Sequence, residues 1–525
     1  MTNRYLYITL LAVLGFSSET QADEATNHAP RLVVSIAIDQ LRSDYLDAFA
    51  PLYGSNGFKK LLAEGTVFAN ASYAFSPIDQ ASAIASVMTG TSPYYNGIVG
   101  RQWLNRATLR PIGCVDDEKQ AGLLCKEGTS AVALSTSTLG DELKLATAGK
   151  ALVYAIAPYR EAAVLSAGHA ADGALWLDDA TGNWCSSTYY GKQLPQWVKA
   201  YNNLNPPGQK AKDVTWEPSN LLVGNFSYFM QTGQQKPFKH KFSGLYYFNQ
   251  YKTSGLVNTD VTNMAQQCVK SSGMGNDYVT DLLALTYYAG SYDHQPVTDC
   301  QMELQDTYVR LDYELGRLVD FLETYYGRDN LLFVVTSTGY VDEESADYER
   351  FRIPTGTFYM NRTAGLINMY LGAIWGQGQY VETTFRNQMF LNHQLLESKK
   401  VSIAEASSRA QELLAMMSGV RNVYTSLQLL TGQTQEIQKT RNGFNPERCG
   451  DLVIEAAPGW RVLNEDSQQT ELSRASLIQF PIIFYGADIE AQHLKTPVTA
   501  DRIAPTVARA IRIRAPNACS VEPLF

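Results

Sequence analysis

The run from Arg31 to Asp39, RLVVSIAID, constrains this chain more than any other segment. Its apolar and β-branched residues follow one another without the alternation of a strand that has one wet face. It reads as a strand buried on both faces, the kind found in parallel sheets, and it ends on a carboxylate. Four more short apolar runs follow: Ala151 to Ala157, Leu282 to Tyr287, Leu331 to Thr336 and Phe480 to Tyr485. Helical patterns lie around them. Gly57 to Gly65 places Phe58, Leu61 and Leu62 on one face. Asp299 to Tyr325 carries Leu304, Tyr308, Leu311, Leu315, Leu318 and Leu322 at helical spacing. Ser402 to Met417 opens with a capping box of Ser402 and Glu405, and Asp501 to Ile511 closes the series. Strands alternating with helices predict an α/β fold: a mostly parallel central sheet with helices on both faces, and with cap insertions. Ligands of such sheets sit at the carboxyl ends of the strands. Chemistry is therefore expected around Asp39, at Tyr287 and after Thr336.

The first 22 residues read as a signal peptide: Arg4, an apolar run from Leu6 to Phe16, and the small-residue site Thr20-Gln21-Ala22. The mature chain then spans 23–525 and is exported, to the periplasm or cell envelope. No later stretch is long and apolar enough to cross a membrane, so the mature chain is expected to lack a transmembrane segment. A net charge of −9 with no basic cluster argues against a nucleic-acid partner. The segment 187–255 is rich in Tyr, Asn, Gln, Pro and Lys and reads as a cap or insertion over the sheet. Seven cysteines include no C-x-x-C pair. Some are expected to form disulfides after export, Cys114 with Cys125 being the most local pair, and the odd count leaves at least one over.

Asp39 sits in Ile38-Asp39-Gln40-Leu41-Arg42-Ser43-Asp44-Tyr45-Leu46. Further along come Gly57-Phe58-Lys59-Lys60-Leu61, Ser86-Val87-Met88-Thr89-Gly90 and Gly97-Ile98-Val99-Gly100. After those come Ala167-Gly168-His169-Ala170-Ala171 with Trp176, then Gly450-Asp451-Leu452-Val453-Ile454-Glu455, Pro458-Gly459-Trp460 and Arg502-Ile503-Ala504-Pro505-Thr506. In this order they resemble the alkaline phosphatase superfamily across nearly the whole mature chain. The likeness is closest to the bacterial periplasmic phosphate-irrepressible type, which is itself similar to nucleotide pyrophosphatase/phosphodiesterases. The resemblance implies a Thr or Ser nucleophile between two divalent metals, usually zinc, held by Asp and His ligands.

Placed on that pattern, this chain keeps Asp39 and departs elsewhere. The nucleophile position falls on Gln80, whose amide cannot form a phosphoenzyme ester. An Asp-His ligand pair falls on Thr338 and Gly339, an Asp on Tyr287, and His ligands on Ser291 and Gln479. The phosphate-clamping Lys and Arg fall on Tyr159 and Glu161, and a carboxylate there repels phosphate. Asp293 and His294 are candidate substitute ligands, Ser82 is a candidate nucleophile beside Asp79, and Asp342, Glu343 and Glu344 form a candidate oxygen-rich cation site.

The expectation is a pseudoenzyme: an exported protein of alkaline phosphatase-like fold that serves binding or assembly, with another protein as candidate partner. No cofactor is expected of it, whereas active relatives use zinc. Two alternatives stand beside it. One is a metal-dependent phosphomonoesterase or phosphodiesterase with a rearranged site. The other is a glycan-binding module using the aromatic side chains between Tyr189 and Tyr251.

Overall fold

A computed structural model describes residues 29–223, 237–341, 348, 351–472 and 478–525. The expected signal segment and the acidic run Asp342, Glu343 and Glu344 lie outside the described residues.

Eleven strands make the central sheet: β1 (Leu32–Asp39), β2 (Thr66–Ser72), β3 (Gly122–Leu123), β4 (Val153–Ala157), β5 (Gly173–Leu177), β6 (Trp184–Ser187), β7 (Asp281–Tyr288), β8 (Leu331–Ser337), β9 (Phe480–Gly486), β10 (Gln492–Leu494) and β11 (Val498–Thr499). Their order is β10-β2-β9-β8-β1-β7-β4-β5-β6-β3, with β11 paired to β2. The five strands β8, β1, β7, β4 and β5 run parallel. Antiparallel pairing enters where β9 joins β8 and where β6 joins β5. All eight residues of β1 are buried, as its unbroken apolar run predicts.

Successive side chains of β1 enter two different cores. Leu32, Val34, Ile36 and Ile38 join a cluster with helices α4 (Val257–Ser272) and α5 (Gln301–Tyr326). Val33 and Ala37 join a second cluster on the other side. That side is covered by α1 (Gln80–Thr89), α2 (Leu139–Ala146), α3 (Arg160–Ala167) and α6 (Ile503–Ala510). The sheet is thus sandwiched between helical layers, as expected from the alternating pattern.

The Ala-Gly-His segment fastens α2 to the end of α3. His169 faces Asp141 Oδ2 with Nδ1 at 2.9 Å and the Leu134 carbonyl with Nε2 at 3.0 Å. The segment 187–255 holds the helices Gln196–Leu204, Pro207–Asp213 and Tyr247–Lys252 and a short hairpin of Thr215–Trp216 with His240–Lys241. Its Trp216, Phe248 and Tyr251 are fully buried in the same cluster as α4 and α5.

A smaller lobe was not anticipated from the sequence. Four antiparallel strands, Val381–Phe385, Gln388–Leu391, Leu452–Ala456 and Val420–Thr425, pack on the helices Met360–Trp375 and Ile403–Leu414 around a separate core. Arg106 joins this lobe to the main body. Its guanidinium donates to both oxygens of the buried Asp451 at 3.1 and 3.2 Å. Among the described residues no helix is long and apolar enough to cross a membrane.

Candidate functional site

The carboxyl ends of β1 and β8 meet the first turn of α1, and Asp39 lies at that junction, 2% exposed. Asp79 begins α1. Its Oδ1 accepts the Ser82 backbone N–H at 3.0 Å, and the Ser82 hydroxyl in turn accepts from the Asp79 N–H at 3.0 Å. This reciprocal cap satisfies two donors of the helix start. Asp79 Oδ2 accepts the Arg101 backbone N–H at 2.7 Å. The Ser82 hydroxyl and the Asp79 carboxylate are therefore both committed to the helix end and the loop beside it. Neither is posed as nucleophile or ligand.

The cap aims Gln80 at Asp39. Gln80 Nε2 donates to Asp39 Oδ2 at 2.7 Å. The opposite amide orientation would set Gln80 Oε1 against a carboxylate, so Asp39 dictates which end of the amide faces it. Oε1 is left buried with no hydrogen-bond partner. Thr338, just past β8, donates from Oγ1 to Asp39 Oδ1 at 2.9 Å and accepts the Gln40 N–H, also at 2.9 Å. The Tyr340 hydroxyl donates to Asp39 Oδ2 at 3.4 Å. Three donors from two chain segments thus converge on one buried carboxylate.

Gly339 takes a left-handed conformation, φ +66°. A Cβ built there would lie 2.7 Å from the rings of Tyr73 and Phe480. Those rings pack together at 5.4 Å, and the Tyr73 hydroxyl donates to the Ser337 carbonyl at 2.7 Å. Burial, with Asp39 and Asp501 nearby, pushes the Tyr73 phenol well above its ordinary pKa and keeps it a neutral donor. An aromatic ring occupies the space that a side chain at position 339 would need.

The two expected phosphate-clamp positions also have local partners. Tyr159 lies over the Lys252 ammonium at 4.8 Å. Lys252, itself 3% exposed, donates to the carbonyls of Pro158 and Leu177 at the ends of β4 and β5. Glu161 faces two guanidiniums, Arg160 at 3.7 Å and Arg101 at 3.9 Å. Burial works against the charge of Arg101, but Glu161, Tyr340, Tyr159 and Asp79 more than offset it and raise its pKa.

Other expected site residues are not brought to Asp39. Tyr287 pairs in register with Ile38, so its side chain enters the opposite core, where its hydroxyl shares a 3.0 Å hydrogen bond with Thr262 of α4. Alternation along a strand makes this outcome unavoidable for any residue beside Ile38. Ser291 lies in a shallow cleft with Gln40, Arg42 and Tyr45. Gln479 is exposed, and its carbonyl accepts the Ser43 N–H at 3.0 Å. Asp293 is drawn toward the 187–255 segment: its N–H donates to Thr253 and its Oδ2 accepts from Gln250 at 3.2 Å. His294 is exposed in a left-handed turn. In the described part of the 187–255 segment, the largest aromatic side chains point inward. Trp216 donates inward to Asp306 at 2.6 Å and Tyr251 to Asp260 at 2.5 Å. Trp216 and Tyr251 supply packing because a broad insertion must bury its own core.

The donor set does not fit a divalent metal. Catalytic zinc takes three protein ligands. Among the described residues no group of three or more His, Cys, Asp or Glu side chains is placed to hold a metal ion. The Asp39 carboxylate is approached by an amide N–H and two hydroxyl hydrogens, which repel a cation. What the arrangement can do is tie the ends of β1 and β8 to α1.

Sequence reasoning found Asp39, Gln80 and Thr338 and missed Tyr73, Arg101 and Lys252, which come from elsewhere in the chain and have no local signature. Tyr340 stood in view, directly after Gly339.

A family model described as type I phosphodiesterase / nucleotide pyrophosphatase matches residues 33–477. The chain is 28% identical over 547 residues to alkaline phosphatase PhoV of Synechococcus elongatus, covering 98% of each. It is 27% identical over 544 residues to alkaline phosphatase PafA of Elizabethkingia meningoseptica, again covering 98% of each. The crystal structure of wild-type PafA superposes with a TM-score of 0.82 at 26% identity, over 94% of this chain and 98% of that one.

Proposed function

This chain belongs to the type I phosphodiesterase / nucleotide pyrophosphatase family of the alkaline phosphatase superfamily, and we propose that within it the protein is a non-catalytic member, exported to the cell envelope and used for binding or assembly. The observation that carries this reading is the state of the Asp39 carboxylate. Its oxygens receive the Gln80 amide and the Thr338 and Tyr340 hydroxyls. A carboxylate kept for a metal presents its lone pairs to open space; here they are spent on holding strand and helix ends together. The filled space beside Gly339 and the Glu161–Arg101 and Glu161–Arg160 pairs support the same reading. Fold alone does not confer the relatives' activity, because chemistry resides in the site. The protein's contribution is then its surface, and the class of partner proposed is another envelope protein.

The test is metal content together with hydrolysis of p-nitrophenyl phosphate and bis-p-nitrophenyl phosphate, on protein purified with and without added zinc. Substoichiometric zinc and no turnover above an inactive control are expected. Tight stoichiometric zinc with turnover that disappears in Asp39→Ala would overturn the proposal.

A further inference from the structure

We propose that Cys125 and Cys185 are joined by a disulfide in the mature protein. Cys185 lies on β6, fully buried, and Cys125 follows β3, the last strand on that side of the sheet. The ladder between β3 and β6 pairs Gly122 with Ser187 and Leu123 with Ser186, so continuing it brings the next residues of β3 beside Cys185. Leu124 then takes a left-handed conformation, φ +67°, which ends the strand and turns Cys125 back on itself. The turn is tight: a Cβ on Gly122 would lie 2.7 Å from Cys125 Sγ. That fold-back leaves Cys125 Sγ 3.4 Å from the carbonyl of Ser186, the neighbour of Cys185 on β6, and so brings the two thiols to the same end of the ladder. The pair expected from sequence proximity, Cys114 with Cys125, is not the pair in contact. Cys114 is buried in the second core, beside Glu161, Asp79 and Arg101.

The two thiols differ in a way that sets the order of reaction. Cys125 is the half-exposed member, and the hydrogen bond from Cys185 lowers its pKa; burial raises that of Cys185. Cys125 thiolate attacks a disulfide oxidant, protein-borne or of glutathione type, and displaces one oxidant thiolate. Cys185, losing its proton, then attacks Cys125 Sγ in the mixed disulfide and displaces the second oxidant thiol. One Sγ–Sγ bond forms as the oxidant's disulfide is reduced to two thiols, so two electrons leave the protein. The bond would staple the outermost strand to the sheet, where unpaired edges are otherwise open to added strands. Its formation in the cell rests on the export proposed above; the pairing itself does not.

The experiment therefore has two arms. Purified, fully reduced protein is oxidised with glutathione disulfide, and protein recovered from the envelope is alkylated under denaturing, non-reducing conditions. Both are analysed by intact mass and peptide mapping. A mass lower by about 2 Da and a Cys125–Cys185 linked peptide are expected in both arms, lost in Cys125→Ala and kept in Cys114→Ser. Oxidation in vitro that links another pair, or leaves both thiols alkylatable, overturns the pairing. Correct pairing in vitro with both thiols alkylated in cell-derived protein overturns its formation in the mature protein and counts against export.

Discussion

Replacing Asp39 by Ala and by Asn separates an internal acceptor from a metal ligand. In Asp39→Ala, the Gln80 amide and the Thr338 hydroxyl lose a partner 2.7 and 2.9 Å away, and both are buried. Hydrogen bonds to a charged group contribute roughly 1.5–3 kcal/mol each, and stranding a buried partner forfeits most of that. A loss of about 3–5 kcal/mol is expected from the two bonds together. Asp39→Asn behaves differently because Gln80 Oε1 has no partner in the native protein. Inverting the Gln80 amide turns that oxygen toward the new Nδ2 donor, while Thr338 continues to donate to Oδ1. The cost then falls to about 1 kcal/mol, the scale of exchanging a charged hydrogen bond for a neutral one. A gap of about 2–4 kcal/mol between the variants is one and a half to three orders of magnitude in the unfolding constant. Urea unfolding followed by circular dichroism, with chelator and with added zinc, reads both numbers. Neither additive is expected to move the wild-type midpoint. Equal losses for Asn and Ala, with zinc stabilisation of the wild type that both variants abolish, would show that Asp39 is a ligand and refute the reasoning.

Two more substitutions probe the frame. Gly339→Ala places a methyl group against the Tyr73 and Phe480 rings at a left-handed residue, and is expected to lower stability by about 2–4 kcal/mol, read as a urea midpoint shift; a shift below about 0.5 kcal/mol would mean that the rings yield. His169 has its pKa raised by its bond to Asp141, which outweighs burial, and its Nε2 faces a carbonyl. A folded pKa above the unfolded one gives stability that is complete below about pH 6.5 and is lost as pH rises through the folded value. His169→Ala should therefore lower the midpoint more at pH 5.5 than at pH 9, and an equal effect at both would remove the charged pair from the account.

The parallel sheet was legible because its strands are buried on both faces and so carry no polar alternation. Ala151 to Ala157 and Leu331 to Thr336 announce themselves by composition alone. Gly173–Leu177, which opens on a glycine, escaped. The smaller lobe escaped for a different reason. Its strand Val381–Phe385 carries three polar residues between its buried ends, and its helix Met360–Trp375 is apolar on nearly every side, so neither matched the pattern set by the main sheet. Within the site, Asp39 and Gln80 could be placed because motifs flank them closely. The face that Tyr287 takes could not be read, because a slip along a strand exchanges one face for the other and no local feature of LLALTYY marks the phase. Tyr73 and Lys252 lay beyond reach: each reaches the site from a separate part of the chain, and only the fold shows which residues a cleft gathers.

The contact between Gly339 and Tyr73 also has a consequence for descent. A residue with a side chain cannot be accommodated at 339 while the Tyr73 ring stands there, and removing the ring first leaves a hole beneath a glycine. Each step back is penalised unless the other has been taken, so the two positions should be inherited as a couple. Relatives that carry Tyr at the position of Tyr73 should carry Gly at that of Gly339. A lineage holding one without the other would mark the order in which the two residues changed.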